Sequence, residues 1–210
     1  MASGCVSSHC TAEMPTSACK SSPSDDNRNS LDLESVCATA SALADIYINE
    51  LLNESAPDAA ACARPRFARK FVRLTREVEM RHKREYEDMC KGLMINSQTV
   101  YPIFTQISGE LFKSGVNWGR LLGLYAFAGA LCRVCNSNGM SSMVAEIKIW
   151  LVAYVRGNLA TWIIDHGGWP GFDAHFKLTQ EENTWFSKSR LKVLGLTVLS
   201  AITLYLATKD

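Results

Sequence analysis

Residues 118–135 read WGRLLGLYAFAGALCRVC, and this stretch decides the fold. Arg120 and Arg133 are its only charges, so apolar side chains would point in every direction around the helix that it forms. A helix without a polar face has to be surrounded by protein or by lipid. The stretch therefore predicts a buried central helix, and the segments on either side of it should supply the surrounding layer.

The segment that follows predicts a partner for this helix. Residues 136–139, NSNG, have the composition of a turn. Apolar residues then recur at helical spacing in residues 143–155, at Val144, Ile147, Trp150, Leu151 and Tyr154. The two helices together predict an apolar central helical hairpin.

Three segments before the hairpin predict amphipathic helices. In residues 33–51 the apolar side chains recur at steps of three and four, the spacing of one helix face. The second segment, the strongly charged residues 66–93, carries one apolar stripe, formed by Phe67, Phe71, Leu74 and Val78. The third segment predicts a helix over residues 99–112, capped by Ser97 or Thr99.

After the hairpin, residues 159–164 predict a short helix that Gly167 and Gly168 interrupt. Another helix should open at Trp169-Pro170, because proline is favoured in a first helical turn. Neither an alternating strand pattern nor a repeat of fixed period is present. The predicted fold class is therefore all-α, a bundle in which amphipathic helices wrap the apolar hairpin.

The domain organisation follows from composition. Residues 1–30 are rich in small polar residues and poor in large apolar ones, which predicts a disordered polar arm. Residues 31–187 should form one helical domain, and residues 188–210 a C-terminal membrane anchor.

The anchor prediction depends on residues 193–208, an uncharged run flanked by lysine and arginine. As a helix this run would reach about 24 Å, short of a hydrocarbon core of about 30 Å. Leu191 and the Trp185-Phe186 pair could extend it at the membrane interface. The alternative is a last bundle helix packed on the core. As an anchor it favours the mitochondrial outer membrane, with the endoplasmic reticulum as the competitor.

Several function classes find no support in the composition. The formal net charge of +1 gives no electrostatic footprint for nucleic acid. No basic and apolar leader opens the sequence, so we expect the eight cysteines to remain thiols in a reducing cytosol. Cys132 and Cys135 have a C-x-x-C spacing but no second pair, so we expect no metal. The histidines are scattered and no phosphate loop precedes a helix, so we expect neither an enzyme nor a cofactor.

Two motifs carry a family resemblance. Residues 110–132, ELFKSGVNWGRLLGLYAFAGALC, resemble the first homology motif of the Bcl-2 family of apoptosis regulators. Residues 161–172, TWIIDHGGWPGF, resemble the second, with its key positions at Trp162, Gly167, Gly168, Trp169 and Phe172. With the order of helices included, the resemblance covers about residues 31–210 and implies a Bcl-2-like helical bundle with a C-terminal transmembrane helix.

The resemblance also implies a groove that binds amphipathic death-motif helices of pro-apoptotic relatives. In the family an arginine equivalent to Arg120 pairs with an aspartate of the incoming helix. Asn117 would cap the central helix and Gly119 would let another backbone approach. The implied floor and walls are Val78, Met80, His82, Tyr86, Met89, Ile107, Leu111, Trp118, Leu122, Tyr125 and Phe127, with Arg81, Glu110 and Asn117 joining Arg120 at the polar rim.

Each of these positions has a plainer alternative. Any single apolar member could be ordinary core, and Arg120 could form an ion pair within the chain.

The family's third motif, residues 67–78 here, departs from the pattern. Thr75 stands where the family has a small glycine and Arg76 where it has an aspartate. A segment that docked against an arginine of another protein would present like charges, which costs energy. The chain therefore looks like a receiver of death motifs, an anti-apoptotic guardian. The alternative is a pore-forming killer of the same fold, whose hairpin inserts into the bilayer.

Overall fold

The computed structural model describes residues 25–53 and 64–178, and in these ranges it is all-helical with no strand. The all-α prediction is therefore confirmed. A π-helical turn, Val155–Leu159, separates the sixth and seventh helices. The helices are α1 Asp25–Leu52, α2 Arg66–Arg81, α3 Lys83–Gly92, α4 Val100–Phe112, α5 Trp118–Ser137, α6 Ser142–Tyr154, α7 Ala160–Asp165 and α8 Gly168–Leu178.

The central helix is α5, as its sequence predicts. Every side chain from Leu121 to Cys132 is buried, and α5 packs against α1, α2, α3, α4 and α6. Only protein surrounds the helix in the described ranges, because the amphipathic helices turn their apolar stripes toward it. On α1 that stripe is Val36, Ala40, Leu43, Tyr47 and Leu51.

The hairpin partner α6 is less enclosed than the prediction of a wrapped hairpin implies. Ile147 and Leu151 are fully buried against α1 and α5, whereas Ile149 on the outer side is 60% exposed. Apolar residues occur around most of α6, but only α5 lies at the centre of the bundle.

The first helix begins at Asp25, within the range that the sequence predicts as a polar arm. Composition alone cannot place this boundary, since a helix that packs downstream extends at small cost, each further residue adding one backbone hydrogen bond. Residues 1–24, 54–63 and 179–210 lie outside the described residues, and with them the anchor predicted at 188–210. Among the helices in 25–53 and 64–178, none combines the length and the hydropathy needed to cross a membrane.

Candidate functional site

The site is built where the connector of residues 113–117 joins α4 to α5. Asn117 is the N-cap of α5, with an extended backbone at φ −156°. Its side-chain oxygen accepts a hydrogen bond of 2.8 Å from the backbone N–H of Arg120. The cap that the sequence predicts is therefore confirmed, and it places Arg120 in the first turn of the central helix.

The guanidinium group of Arg120 has a neutral partner. Its Nη1 donates to the carbonyl oxygen of Gly115 at 2.5 Å, and within residues 25–53 and 64–178 no carboxylate pairs with it. The positive end of the α5 dipole lies beside it, an unfavourable position for a cation. The alternative of an ion pair with another described residue is thus not observed, and the charge of Arg120 is available to an anion.

Two of the other predicted rim residues, Arg81 and Glu110, already have ion-pair partners close to them in the sequence. Arg81 and Glu77 form an ion pair of 2.9 Å along α2, and Glu110 lies 3.4 Å from Lys113 at the end of α4. These pairs are exposed or half-exposed, so each contributes little to stability. Arg120 therefore differs from Arg81 and Glu110, because its partner among the described residues is a neutral carbonyl and not an ion.

Most of the predicted apolar wall is core. The members of this set that are at most 5% exposed are Val78, Tyr86, Ile107, Leu111, Trp118, Leu122, Tyr125 and Phe127. Burial raises the pKa of the Tyr86 hydroxyl well above its usual value. By contrast Met80, on the outer side of α2, is 74% exposed. The side chain of Met89, in α3, lies outside the described part of the chain.

The geometry of α5 divides the predicted set between two faces. Residues seven apart point in nearly the same direction, and residues two apart point in nearly opposite directions, because each residue turns the helix by about 100°. Phe127 therefore shares the side of Arg120 and stacks on Phe104 of α4, with ring centroids 6.2 Å apart. Trp118 and Tyr125 lie on the other side.

Tyr125 therefore does not lie on the side of α5 that carries Arg120. Its hydroxyl donates to the carbonyl oxygen of Ala40 on α1 at 3.0 Å, and burial raises the pKa of that hydroxyl. Hence Tyr125 connects α5 to α1. The family pattern alone does not distinguish this role from lining a groove.

His82 lies at the junction of α2 and α3. Its side chain is 12% exposed and its Nδ1 is 3.8 Å from Glu85, while neither ring nitrogen has a hydrogen-bond partner among the described residues. It is a partly enclosed polar group next to Arg81 rather than an apolar wall.

The second motif is a scaffold beside the site. Trp162 and Phe172 both contact Trp118 edge-on, with centroids 4.9 and 5.6 Å apart. Trp169 donates through Nε1 to the carbonyl oxygen of Val36 on α1 at 3.1 Å. The predicted break between α7 and α8 falls at Gly167, where φ is +83°. The motif thus fixes the start of α5, and with it Arg120.

Three ion pairs that were not predicted from the sequence connect α2 to other helices. The Nζ of Lys70 lies 3.2 Å from Oδ1 of Asp173 in α8, and the Nη2 of Arg76 lies 3.1 Å from Oε2 of Glu50 in α1. On α5, the partner of the buried Glu79 is Arg133, at 2.6 Å. One signal could have indicated the last pair, because Arg133 is the second of only two charges in the apolar stretch of α5.

The third motif is therefore held inside the fold. Phe71, Leu74 and Val78 are buried, and the hydroxyl of buried Thr75 donates to the carbonyl oxygen of Phe71 at 2.9 Å. Phe67 is only partly buried. At position 76 an arginine replaces the family's aspartate, and this arginine forms an ion pair with Glu50 of α1.

A cavity of 600 Å³ lies between α3 and the end of α5 and contains none of the predicted groove residues. Cys90 forms part of its wall, and burial raises the pKa of that thiol to about 12. Among residues 25–53 and 64–178 no cluster of His, Cys, Asp or Glu is suited to hold a metal ion.

Comparison with known proteins gives a consistent result. Residues 71–169 match the family described as apoptosis regulator proteins, Bcl-2 family. Human Bcl-2-like protein 1 is 34% identical over 135 residues, which cover 60% of this chain and 58% of that protein. Dog apoptosis regulator Bcl-2 is 34% identical over 114 residues, or 54% and 48%. The chain thus spans about half the length of these relatives.

Two solved structures share the fold. Trichoplax adhaerens trBcl-2L2, solved bound to trBak BH3, has a TM-score of 0.58 and 28% identity, covering 67% of this chain and 98% of that chain. Chicken BOK has a TM-score of 0.56 and 26% identity, covering 73% and 98%.

Proposed function

The chain contains a Bcl-2 family domain homologous to Bcl-2-like protein 1 and Bcl-2, and from this premise we propose that it binds the BH3 helices of pro-apoptotic relatives. BH3 helices are the amphipathic death-motif helices that the family resemblance implies as partners. The bound trBak BH3 of the Trichoplax neighbour supports this choice of partner. As an anti-apoptotic guardian, the protein would sequester such helices and restrain permeabilisation of the outer mitochondrial membrane.

One observation carries the proposal: within residues 25–53 and 64–178, the Arg120 guanidinium has no carboxylate partner. A cation in the first turn of a helix opposes the helix dipole, so it costs stability in the free protein. An incoming carboxylate would remove that cost and form a charge-assisted hydrogen bond. Arg120 therefore fits the recognition of an acidic helix better than it fits the stabilisation of its own fold.

The state of α2 favours a guardian over a killer. To act as a death motif in another protein, α2 would have to leave its fold and break the contacts of Lys70, Arg76 and Glu79 with three other helices. It would then present Arg76 where an aspartate is needed. Separating Glu79 from Arg133 is costly, because the buried Glu79 carboxylate would lose this ion-pair partner.

The pore-forming alternative has one observation in its favour, the exposed Ile149 on the hairpin helix α6. The two functions differ in liposomes that contain cardiolipin. A guardian leaves an entrapped dye inside, and it reduces the leakage caused by an activated pore-forming relative. Robust leakage caused by this protein alone would instead establish the killer function.

We expect Arg120→Ala to weaken binding of the Trichoplax Bak BH3 peptide by at least about tenfold. The variant loses a charge-assisted hydrogen bond worth about 1.5 kcal/mol or more, and about 1.4 kcal/mol corresponds to a factor of ten. Fluorescence polarisation of the labelled peptide with the full-length protein measures the change, and the unaltered protein should bind with a sub-micromolar Kd.

Arg81→Ala is the matched control, because Arg81 is a cation of the same rim that is already paired with Glu77. It should change the affinity much less than Arg120→Ala does. Equal affinities of the unaltered protein and Arg120→Ala would remove Arg120 from the site, and an unaltered protein that binds no BH3 peptide would refute the proposed function.

We also propose that residues 188–210 anchor the protein in the outer mitochondrial membrane, with the helical domain in the cytosol. The support is in the sequence: an uncharged run, basic residues before it, and an aromatic pair at 185–186 that suits a membrane interface.

Leu199→Arg should release the protein from membranes. Leu199 lies at the middle of the run, where an arginine costs about 2.5–3.5 kcal/mol in insertion experiments. Alkaline carbonate extraction of mitochondria measures the change as a shift from pellet to supernatant. Leu199→Phe, which keeps the run apolar, should stay in the pellet. If the unaltered protein is extracted as readily as Leu199→Arg, the segment is not an anchor.

A further inference from the structure

The position of the Arg120 side chain is set by Gly115, a residue of the first motif to which the resemblance assigns no role in binding. Its carbonyl oxygen accepts the hydrogen bond from Arg120 Nη1 at 2.5 Å. Asn117, two residues later, holds the backbone N–H of the same arginine at 2.8 Å. Both acceptors belong to the short connector before α5, so that connector fixes Arg120 at its backbone and at the tip of its side chain.

Gly115 reaches this position through a left-handed backbone. Its φ is +102°, and its N–H donates to the carbonyl oxygen of Phe112 at 2.9 Å, which closes the end of α4. Glycine adopts such a φ without a steric penalty. A Cβ at this position would have no heavy atom within 4 Å, so the requirement for glycine comes from the backbone conformation and not from lack of space.

We propose that the Gly115 carbonyl is a positioning group that holds the Arg120 guanidinium ready for the carboxylate of a BH3 helix, an inference that rests on the proposed function. A free arginine side chain loses conformational freedom when it binds, and prior fixation removes that loss. Because the carbonyl is neutral, it fixes the guanidinium without neutralising its charge. Arginine has five N–H donors, so the fork can still receive a carboxylate.

The test compares Gly115, whose carbonyl accepts the hydrogen bond from Arg120, with Gly139 as a control. Gly139, in the turn between α5 and α6, also has a positive φ, +75°, and a Cβ added there would likewise have no heavy atom within 4 Å. Gly115→Ala and Gly139→Ala should therefore lose similar stability in urea denaturation, since both force alanine into a left-handed conformation. Only Gly115→Ala moves the carbonyl that holds Arg120.

We expect Gly115→Ala to weaken binding of the Trichoplax Bak BH3 peptide by about fivefold, and Gly139→Ala to leave the affinity unchanged. A positioning role predicts that the effect of Gly115→Ala on affinity depends on the pair of charges formed by Arg120 and the peptide aspartate. Against a peptide whose aspartate is replaced by alanine, and likewise in an Arg120→Ala background, Gly115→Ala should have no further effect on affinity. Gly115→Asn should restore much of the affinity, because asparagine tolerates a left-handed backbone.

The outcomes separate this inference from the proposed function. If the unaltered protein binds and Arg120→Ala does not, while Gly115→Ala binds as the unaltered protein does, the positioning role is refuted and the function stands. An equal loss with the aspartate-free peptide would likewise refute it, since that result indicates a general distortion of the fold. Absence of any peptide binding by the unaltered protein would overturn both.

Discussion

Phe71→Ala should lower the free energy of unfolding by about 3–5 kcal/mol, the usual cost of removing a fully buried phenylalanine side chain. Phe71 is 0% exposed and lies at the meeting point of α2, α5 and α8. Its ring is edge-on to Tyr125 at 4.8 Å and to Trp169 at 5.6 Å, and it tilts toward Phe172 at 5.2 Å. Alanine would leave a cavity lined by three aromatic rings that cannot easily collapse. Urea denaturation of the full-length protein, followed by far-UV circular dichroism, measures the loss.

The same helix supplies a control for this effect. Phe67 lies one turn before Phe71 but is only partly buried, at the edge of the core. Phe67→Ala should cost less than half as much as Phe71→Ala, because less apolar surface returns to water. Equal losses for the two variants would contradict the view that Phe71 joins three helices. A loss below about 1 kcal/mol for Phe71→Ala would do the same.

The stability of α2 bears directly on the proposed function. In a guardian, the third motif is part of the scaffold, and its apolar stripe should contribute to stability as any core helix does. In a chain whose α2 is meant to leave, strong packing of the same stripe would oppose activation. The aromatic contacts of Phe71 and the contact of Arg76 with Glu50 both hold α2 in place.

The order and the centre of the fold could be predicted because they follow from periodicity. A stretch with two charges in residues 118–135 had to be buried, and the turn glycines had to interrupt helices. Asn117 could also be predicted as a cap, since its side chain acts on a backbone group three residues away. Local chemistry of this kind is visible in sequence.

Contacts between distant segments could not be predicted in the same way. Glu50 and Arg76 are separated by 26 residues, and no spacing rule indicates that their helices cross with these side chains in contact. The division of α5 into two faces raises a related difficulty. Which of Tyr125 and Phe127 faces α1 depends on how the surrounding helices pack, because both are aromatic and the whole helix is apolar.

The role of Gly115 was hidden for a different reason. Its contribution is a backbone carbonyl, which every residue possesses, and the sequence does not indicate that its φ of +102° directs this carbonyl to Arg120. A glycine before a helix cap is commonly interpreted as the end of the previous helix. Here it has that role and also determines where the guanidinium of Arg120 lies.

Gly171→Ala should lower the free energy of unfolding by about 2–3 kcal/mol, even though alanine is the better helix former. Gly171 lies in α8, within the second motif, and a Cβ built there would overlap the backbone carbonyl oxygen of His166. A backbone atom at a helix end cannot rotate away as a side chain can. The turn between α7 and α8 would therefore have to shift, and with it the contacts of Trp162 and Phe172 with Trp118.

Gly109 of α4 is the control with the opposite sign. It is exposed, and a Cβ there would have no heavy atom within 4 Å, so Gly109→Ala should stabilise the protein by about 0.5–1 kcal/mol through helix propensity alone. Urea denaturation of both variants measures the contrast. Because Trp118 begins the helix that carries Arg120, Gly171→Ala should also weaken BH3 binding, whereas Gly109→Ala should not. A stabilising Gly171→Ala would show that the α7–α8 turn adjusts freely, and the second motif would then lose its role in fixing the start of α5.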